Sequence, residues 1–186
     1  MRYAVILIAV LWSFGVSAFA GKCEVNEQGV ELVKHYEGFF PKAYLDGGSG
    51  RWAVGYGSQA AEYKIGPNTV WTEKHADKVL RKELNVVAQI LCAQIIAPIT
   101  DNQLSALTSL AYNIGPYAII KSKLFSDINR FEPKEASKRF LRYSRSKGVI
   151  LRGLKFRRKL EQSLFLTPDF VDLDIKATAD KIFKGQ

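Results

Sequence analysis

Two carboxylates nine positions apart, Glu37 and Asp46, bracket the run EGFFPKAYLD, and a glycine-rich stretch, GGSGRWAVGYGS, follows directly. Gly38 and Pro41 come just after Glu37, so a helix ends near that residue. Asp46 is followed by Gly47, Gly48 and Gly50, which places it on a turn facing the helix end rather than on the same helix. Carboxyls on different elements meet different surroundings, so one can stay protonated as a general acid while the other is ionised. Cleavage of a glycosidic bond needs that pair. Spacing alone is a weak signal, because most acid pairs of this kind are solvated surface groups.

The flanking residues add specificity. E-G-x-x-x-x-A-Y-x-D, the glycine turn and W-x-x-G-Y-G together resemble the catalytic stretch of phage-type lysozymes (endolysins). Two further phrases match that family in its order: A-Y-N-x-G at Ala111 to Gly115, and G-L-x-x-R-R-x-x-E at Gly153 to Glu161. The resemblance covers about residues 29 to 165. It implies an α+β, mainly helical, two-lobed fold, with a small β-hairpin lobe and a helical lobe joined by a long helix. It implies Glu37 as proton donor and Asp46 as the second catalytic carboxylate, about 6.5–9.5 Å apart in an inverting reaction. The substrate implied is bacterial peptidoglycan, cut between N-acetylmuramic acid and N-acetylglucosamine, with no metal or organic cofactor. Tyr56, Ser58 and Asn113 are the candidate substrate contacts, although capping is the simpler role for Asn113.

One departure from the family pattern bears on the chemistry. Ala53 and Ser58 stand where the family usually carries Thr and His. The family Thr helps the Asp hold the attacking water, and Ala53 has no hydroxyl to do so. Ser49 and Ser58, on the same glycine-rich segment, are the candidate substitutes. A lysozyme fold that grips peptidoglycan without cutting it is the rival reading.

The elements that must position these groups follow from periodicity and caps. Glu24 to Tyr36 reads as a first helix, weakened by Gly29, and residues 39–71 as a small β region with Val54 and Tyr56 on one strand face. Thr72 caps a long helix to about Ile95, with Ala76, Val79, Leu80, Glu83, Val87, Ile90 and Leu91 as its inward stripe. Thr100-x-x-Gln103 has the form of a capping box, and Gly115-Pro116 stops the helix it starts. Leu124 to Ile128 and Pro133 to Arg145 read as further helices, then a last helix carries Leu154, Arg157, Arg158, Glu161 and Leu164. An Arg near Glu37 would fix its orientation, and the sequence does not choose between the two. Beyond Pro168, Ile175 to Phe183 reads as a short extra helix or a mobile end.

Composition narrows the surroundings. The 186 residues carry a net charge of +9, with 47% hydrophobic and 12% aromatic residues, enough for one core-forming domain with an anionic partner. Arg139, Arg142, Arg145 and Lys147 form a basic run, either a solvated face or a means of steering to the anionic wall. Nucleic acid is not expected, since no binding motif is present and the basic residues are spread among acids. Tyr3 to Gly21 is uncharged and ends in the small-x-small triplet Ala18-Phe19-Ala20. A secretory signal cleaved after Ala20 is the favoured reading, with an uncleaved membrane anchor as the rival. The division expected is thus a leader over 1–20, a catalytic domain over 21–168 and a tail over 169–186, in an exported monomer. In an oxidising compartment Cys23 and Cys92 would pair, the alternative being two free thiols. His35 and His75 stand alone, so no metal site is expected.

Overall fold

The computed structural model describes residues 22–146 and 148–185. The expected leader lies outside them. The described chain is mainly helical with two small antiparallel hairpins. Helix α1 (Glu27–Glu37) is followed by strands β1 (Phe40–Leu45) and β2 (Trp52–Gly55), then by α2 (Glu73–Cys92) and α3 (Asp101–Ile114). Three short helices come next: α4 (Pro116–Ile120), α5 (Lys123–Asn129) and α6 (Pro133–Arg139). A second hairpin, β3 (Arg145–Ser146) with β4 (Val149–Ile150), precedes α7 (Arg152–Leu166) and α8 (Ile175–Lys184).

The helix boundaries follow local chemistry. Asn26 caps α1 by accepting from the Gly29 N–H, and Thr72 caps α2 by accepting from the His75 N–H. At α3 both halves of the capping box are present: Thr100 Oγ1 accepts from Gln103 N–H, and the Gln103 side chain accepts from Thr100 N–H. Gly115 ends α3, and Pro116, which needs no helical N–H partner, starts α4 at once.

Two apolar cores form. One holds Val30 and Val33 of α1, Val54 of β2, and Ala76, Val79, Leu80 and Leu84 of α2. The other gathers Leu32, Leu91, the Leu107 and Leu110 face of α3, and residues of α5 through α8. Both α1 and α2 feed both cores, so these two helices join the halves. The leucines of α3 at 104, 107 and 110 have no exposure, and burying each contributes about 1.5–3 kcal/mol. Helix α1 approaches α3 through Gly29, where a Cβ would stand 2.6 Å from Ser105 Cβ. That close packing is why a weak helix former is placed there. Gly55, at φ +69, likewise lets β2 reach α2; a Cβ would meet Ala76 Cβ at 2.8 Å.

Two expectations are corrected. The stripe of α2 includes Leu84 and Ala88, both fully buried, while Val87 and Ile90 are only half-buried. The stripe drifts because it serves one core at its start and the other at its end. The single helix expected over Pro133 to Arg145 stops at Arg139, passes through a 3₁₀ turn at Phe140–Tyr143 and becomes a hairpin. Gly148 at φ +82 makes the hairpin turn, and the Leu151 N–H donates to Ser144 O. The tail forms the short helix, one of its two expected readings, and it packs on the body. Asp169 accepts from the Asp101 and Asn102 N–H groups at 3.0 and 2.8 Å, and Ile175 and Ala179 of α8 lie in the larger core.

Candidate active site

Glu37 is the last residue of α1, and the Gly38 N–H closes that helix on Lys34 O. Its side chain is a quarter exposed. Arg157 of α7, itself buried, donates from Nη1 to Glu37 Oε1 at 2.7 Å. The same guanidinium donates from Nε to Glu161 Oε1 at 3.2 Å and from Nη2 to Ser109 O at 3.4 Å, and it lies over the Tyr36 ring. Glu37 is therefore held by a side chain fixed on three other sides. Its Oε2 lies beside Gly57, whose backbone, at φ +86, is one that glycine adopts readily.

Behind Arg157 sits a fully buried carboxylate. Glu161 Oε1 accepts from Ser109 Oγ at 2.8 Å and from Arg158 Nη2 at 2.9 Å. Burial pushes the Glu161 carboxyl up and pulls the Arg158 guanidinium down, and the opposite charges beside each other counter both shifts. Arg158 also reaches Asn113 Oδ1 at 3.3 Å. One pair of arginines on α7 thus serves two site residues.

Asp46 follows β1 at the head of the glycine turn. Its N–H donates to Arg51 O and its carbonyl accepts from Gly50 N–H, both at 2.8 Å. The Ser49 N–H donates to Asp46 Oδ2 at 2.8 Å. Hydrogen bonds from the Ser49 hydroxyl, the Ser49 backbone, Gln59 and the Gly48 backbone pull its pKa down to about 2. Asp46 is therefore ionised at any ordinary pH.

Glu37, Asp46 and Asn113 share one open cleft of about 500 Å³, lined also by Tyr44, Arg51, Gly57, Gln59 and Tyr112. Its lining is strongly polar, as suits a hydroxyl-rich ligand. Tyr56 and Ser58 do not line it. Tyr56 is buried and donates its OH to Glu73 Oε1 at 2.9 Å. Ser58 is buried and donates to Glu83 Oε1 at 2.5 Å, while Tyr112 OH holds Glu83 Oε2 at 2.8 Å. Both expected contacts are thus engaged away from this cleft, Tyr56 on the exposed Glu73 and Ser58 on Glu83. Ala53, paired with Tyr44 across the hairpin, is buried on the strand face opposite Val54. Of the serines considered as stand-ins for its missing hydroxyl, only Ser49 is exposed, and it supports Asp46.

Sequence reasoning left Tyr44, Gln59 and Tyr112 without a role at the cleft, and of the two arginines it left open, Arg157 is the one that reaches Glu37. Two of the missed residues sit inside the recognised phrases: Tyr44 in A-Y-x-D and Tyr112 in A-Y-N-x-G. Gln59 carries no such signal.

Comparison with known proteins points to one family. Residues 34–161 match the family described as phage lysozyme. An endolysin of Acyrthosiphon pisum secondary endosymbiont phage 1 is 36% identical over 145 residues, covering 76% of this chain and 97% of that protein. The endolysin of Bacillus phage B103 is 29% identical across 86% of this chain, which spans 60% of that relative's length. Among solved structures, the muramidase domain of SpmX from Asticaccaulis excentricus has a TM-score of 0.71 at 32% identity, covering 78% of this chain and 99% of that one. A mutant of P22 lysozyme has a TM-score of 0.70 at 26% identity, covering 77% and 99%. The lysozyme-like α+β fold expected from the sequence is the fold observed.

Proposed function

Because the chain belongs to the phage lysozyme family, we propose that it cuts the β-1,4 bond between N-acetylmuramic acid and N-acetylglucosamine in bacterial peptidoglycan, with Glu37 as acid and Asp46 as its ionised partner. One observation carries the assignment: both carboxylates open into a single polar cleft, one locked by Arg157 and the other held ionised by its own turn. Glu37 passes its proton to the glycosidic oxygen as the bond from that oxygen to the anomeric carbon breaks. The sugar left behind carries positive charge, which the Asp46 carboxylate stabilises. Water then adds to the anomeric carbon, and its proton leaves toward Asp46. A carboxylate with a pKa of about 2 is a weak base, so proton loss trails carbon–oxygen bond formation rather than driving it. Asn113, fixed by Arg158, offers its amide to the sugar hydroxyls. The enzyme reaches the wall by export through the amino-terminal leader.

The test is Glu37→Gln, which keeps the hydrogen bond from Arg157 but has no acidic proton. Muropeptide release from purified peptidoglycan is expected to fall by about 10²-fold or more, the usual worth of a general acid, with the fold retained by circular dichroism. Near-normal turnover would remove Glu37 from the role. If the parent protein binds peptidoglycan and releases no muropeptides, the non-cutting binder suggested by Ala53 takes its place.

A further inference from the structure

The hairpin β3–β4 is unlike the rest of the surface. Val149, Ile150 and Leu151 are three consecutive apolar residues, exposed to 63%, 55% and 44%. Globular surfaces rarely present such a run without a partner for it. The hairpin pairs only with itself, Arg145 opposite Ile150 and Ser146 opposite Val149, so neither strand is covered by a larger sheet. Leu141, on the 3₁₀ turn just before it, is also exposed.

Charge surrounds the apolar tip. No Asp or Glu occurs from Ala136 to Leu160. Within that stretch Arg142, Arg145, Arg152 and Lys155 are exposed, and among the described residues none of them pairs with a carboxylate. The other described arginines there are engaged: Arg139 with Asp127, and Arg157 and Arg158 in the site network. Arg152 stacks over Phe156 and Phe183, leaving its guanidinium at the surface beside the α8 aromatic.

We propose that this hairpin docks the protein on an anionic lipid bilayer, with Val149, Ile150 and Leu151 seated at the headgroup boundary and Arg142, Arg145, Arg152 and Lys155 on the lipid phosphates. Interfacial binding needs apolar area and cationic charge together, and each alone is weak. A second copy of this chain would bring the same positive charge to the contact and be repelled. An anionic polysaccharide satisfies the cations but leaves the three apolar side chains in water. A bilayer with acidic headgroups satisfies both. The surface is separate from the polar cleft, so docking would hold the enzyme near the membrane without using its catalytic groups.

The experiment reads the hairpin itself, because the apolar leader of the full chain could bring the protein to vesicles unaided. Ile150→Cys in the full chain, labelled with an environment-sensitive fluorophore, is mixed with phosphatidylglycerol vesicles, with phosphatidylcholine vesicles and with purified peptidoglycan. Lys74→Cys, an exposed position at the start of α2, is the control label. The label at 150 is expected to shift to the blue on phosphatidylglycerol only, and the label at 74 to stay unshifted. Adding Arg145→Glu should raise the phosphatidylglycerol concentration needed for half of the shift at 150 about fivefold or more, the usual effect of one interfacial cation. Wall hydrolysis by the labelled Ile150→Cys protein should equal that of the parent. No shift on either vesicle, an equal shift on both, a shift on peptidoglycan alone, or equal shifts at 150 and 74 would overturn the proposal.

Discussion

Asp46 and its turn carry the clearest pH signature in the molecule. Its pKa, about 2, lies below the ordinary carboxylate value of 3.8, so the ionised form is favoured by folding. The stability this contributes is present above 3.8 and is lost as pH falls through about 2. Activity that depends on the Asp46 charge follows the same window. Ser49→Ala removes the largest single cause of the shift, the hydroxyl bond, while keeping the backbone N–H. The acid limb of the pH–rate profile is expected to move from about 2 toward 3.8, read by initial rates of peptidoglycan clearing between those limits. An unmoved limb would show that the Ser49 hydroxyl does not act on Asp46. At this scale the sequence was legible for acids and opaque for hydroxyls. Glu37 and Asp46 were readable because glycine and proline mark where a helix stops and a turn begins. Tyr56 and Ser58 were misplaced because a hydroxyl's role depends on which way it faces, and Glu73 and Glu83, its acceptors, are distant in sequence.

Helix α7 does for the site what no single residue can. Its turn from Arg157 to Glu161 delivers two guanidiniums and one carboxylate to the floor between Glu37 and Asn113. Arg157→Met should therefore lower both stability and turnover. Taking one partner from a buried ionic cluster costs about 3–5 kcal/mol, and Glu37 loses its orienting bond. Arg157→Lys separates the two effects: charge is kept, but one ammonium cannot reach Glu37, Glu161 and Ser109 O together. Thermal melts should show a smaller loss for Lys than for Met, while kcat on peptidoglycan falls in both. A Lys variant with parental kcat would mean that charge alone, without the fork, orients Glu37. The caps at Thr72 and Thr100 were legible, because a side-chain oxygen three residues before its N–H donor is a local event. The β3–β4 hairpin was not. Its segment is short and basic, and the backbone at Gly148, at φ +82, turns it back.

At the scale of the whole molecule the Cys23–Cys92 disulfide joins the start of the described chain to the end of α2. The pairing expected from the cysteine count is present. Its two Cα atoms are 6.1 Å apart and it closes a loop with a sequence separation of 69. On the chain-entropy account such a loop contributes about 4 kcal/mol by restricting the unfolded state. Cys23→Ser with Cys92→Ala is expected to lose stability of that order in urea melts while keeping full catalytic rate in the folded protein. A change below about 1 kcal/mol would show that the unfolded chain gains little freedom without the bond. The two-lobed arrangement was legible because three motifs fell in one order. The role of the tail was not, since Asp169 caps α3 and α8 enters the core from outside any recognised phrase.

The contact between Glu37 and Arg157 spans 120 positions of the chain. A growing polypeptide presents its acid early and the arginine that aims it only near the end of synthesis. Long-range pairings of this kind form late in folding. Any chain interrupted before α7 carries both carboxylates and still lacks an aimed acid. A chain cut before Arg157 is therefore expected to turn over less peptidoglycan although Glu37 and Asp46 both remain.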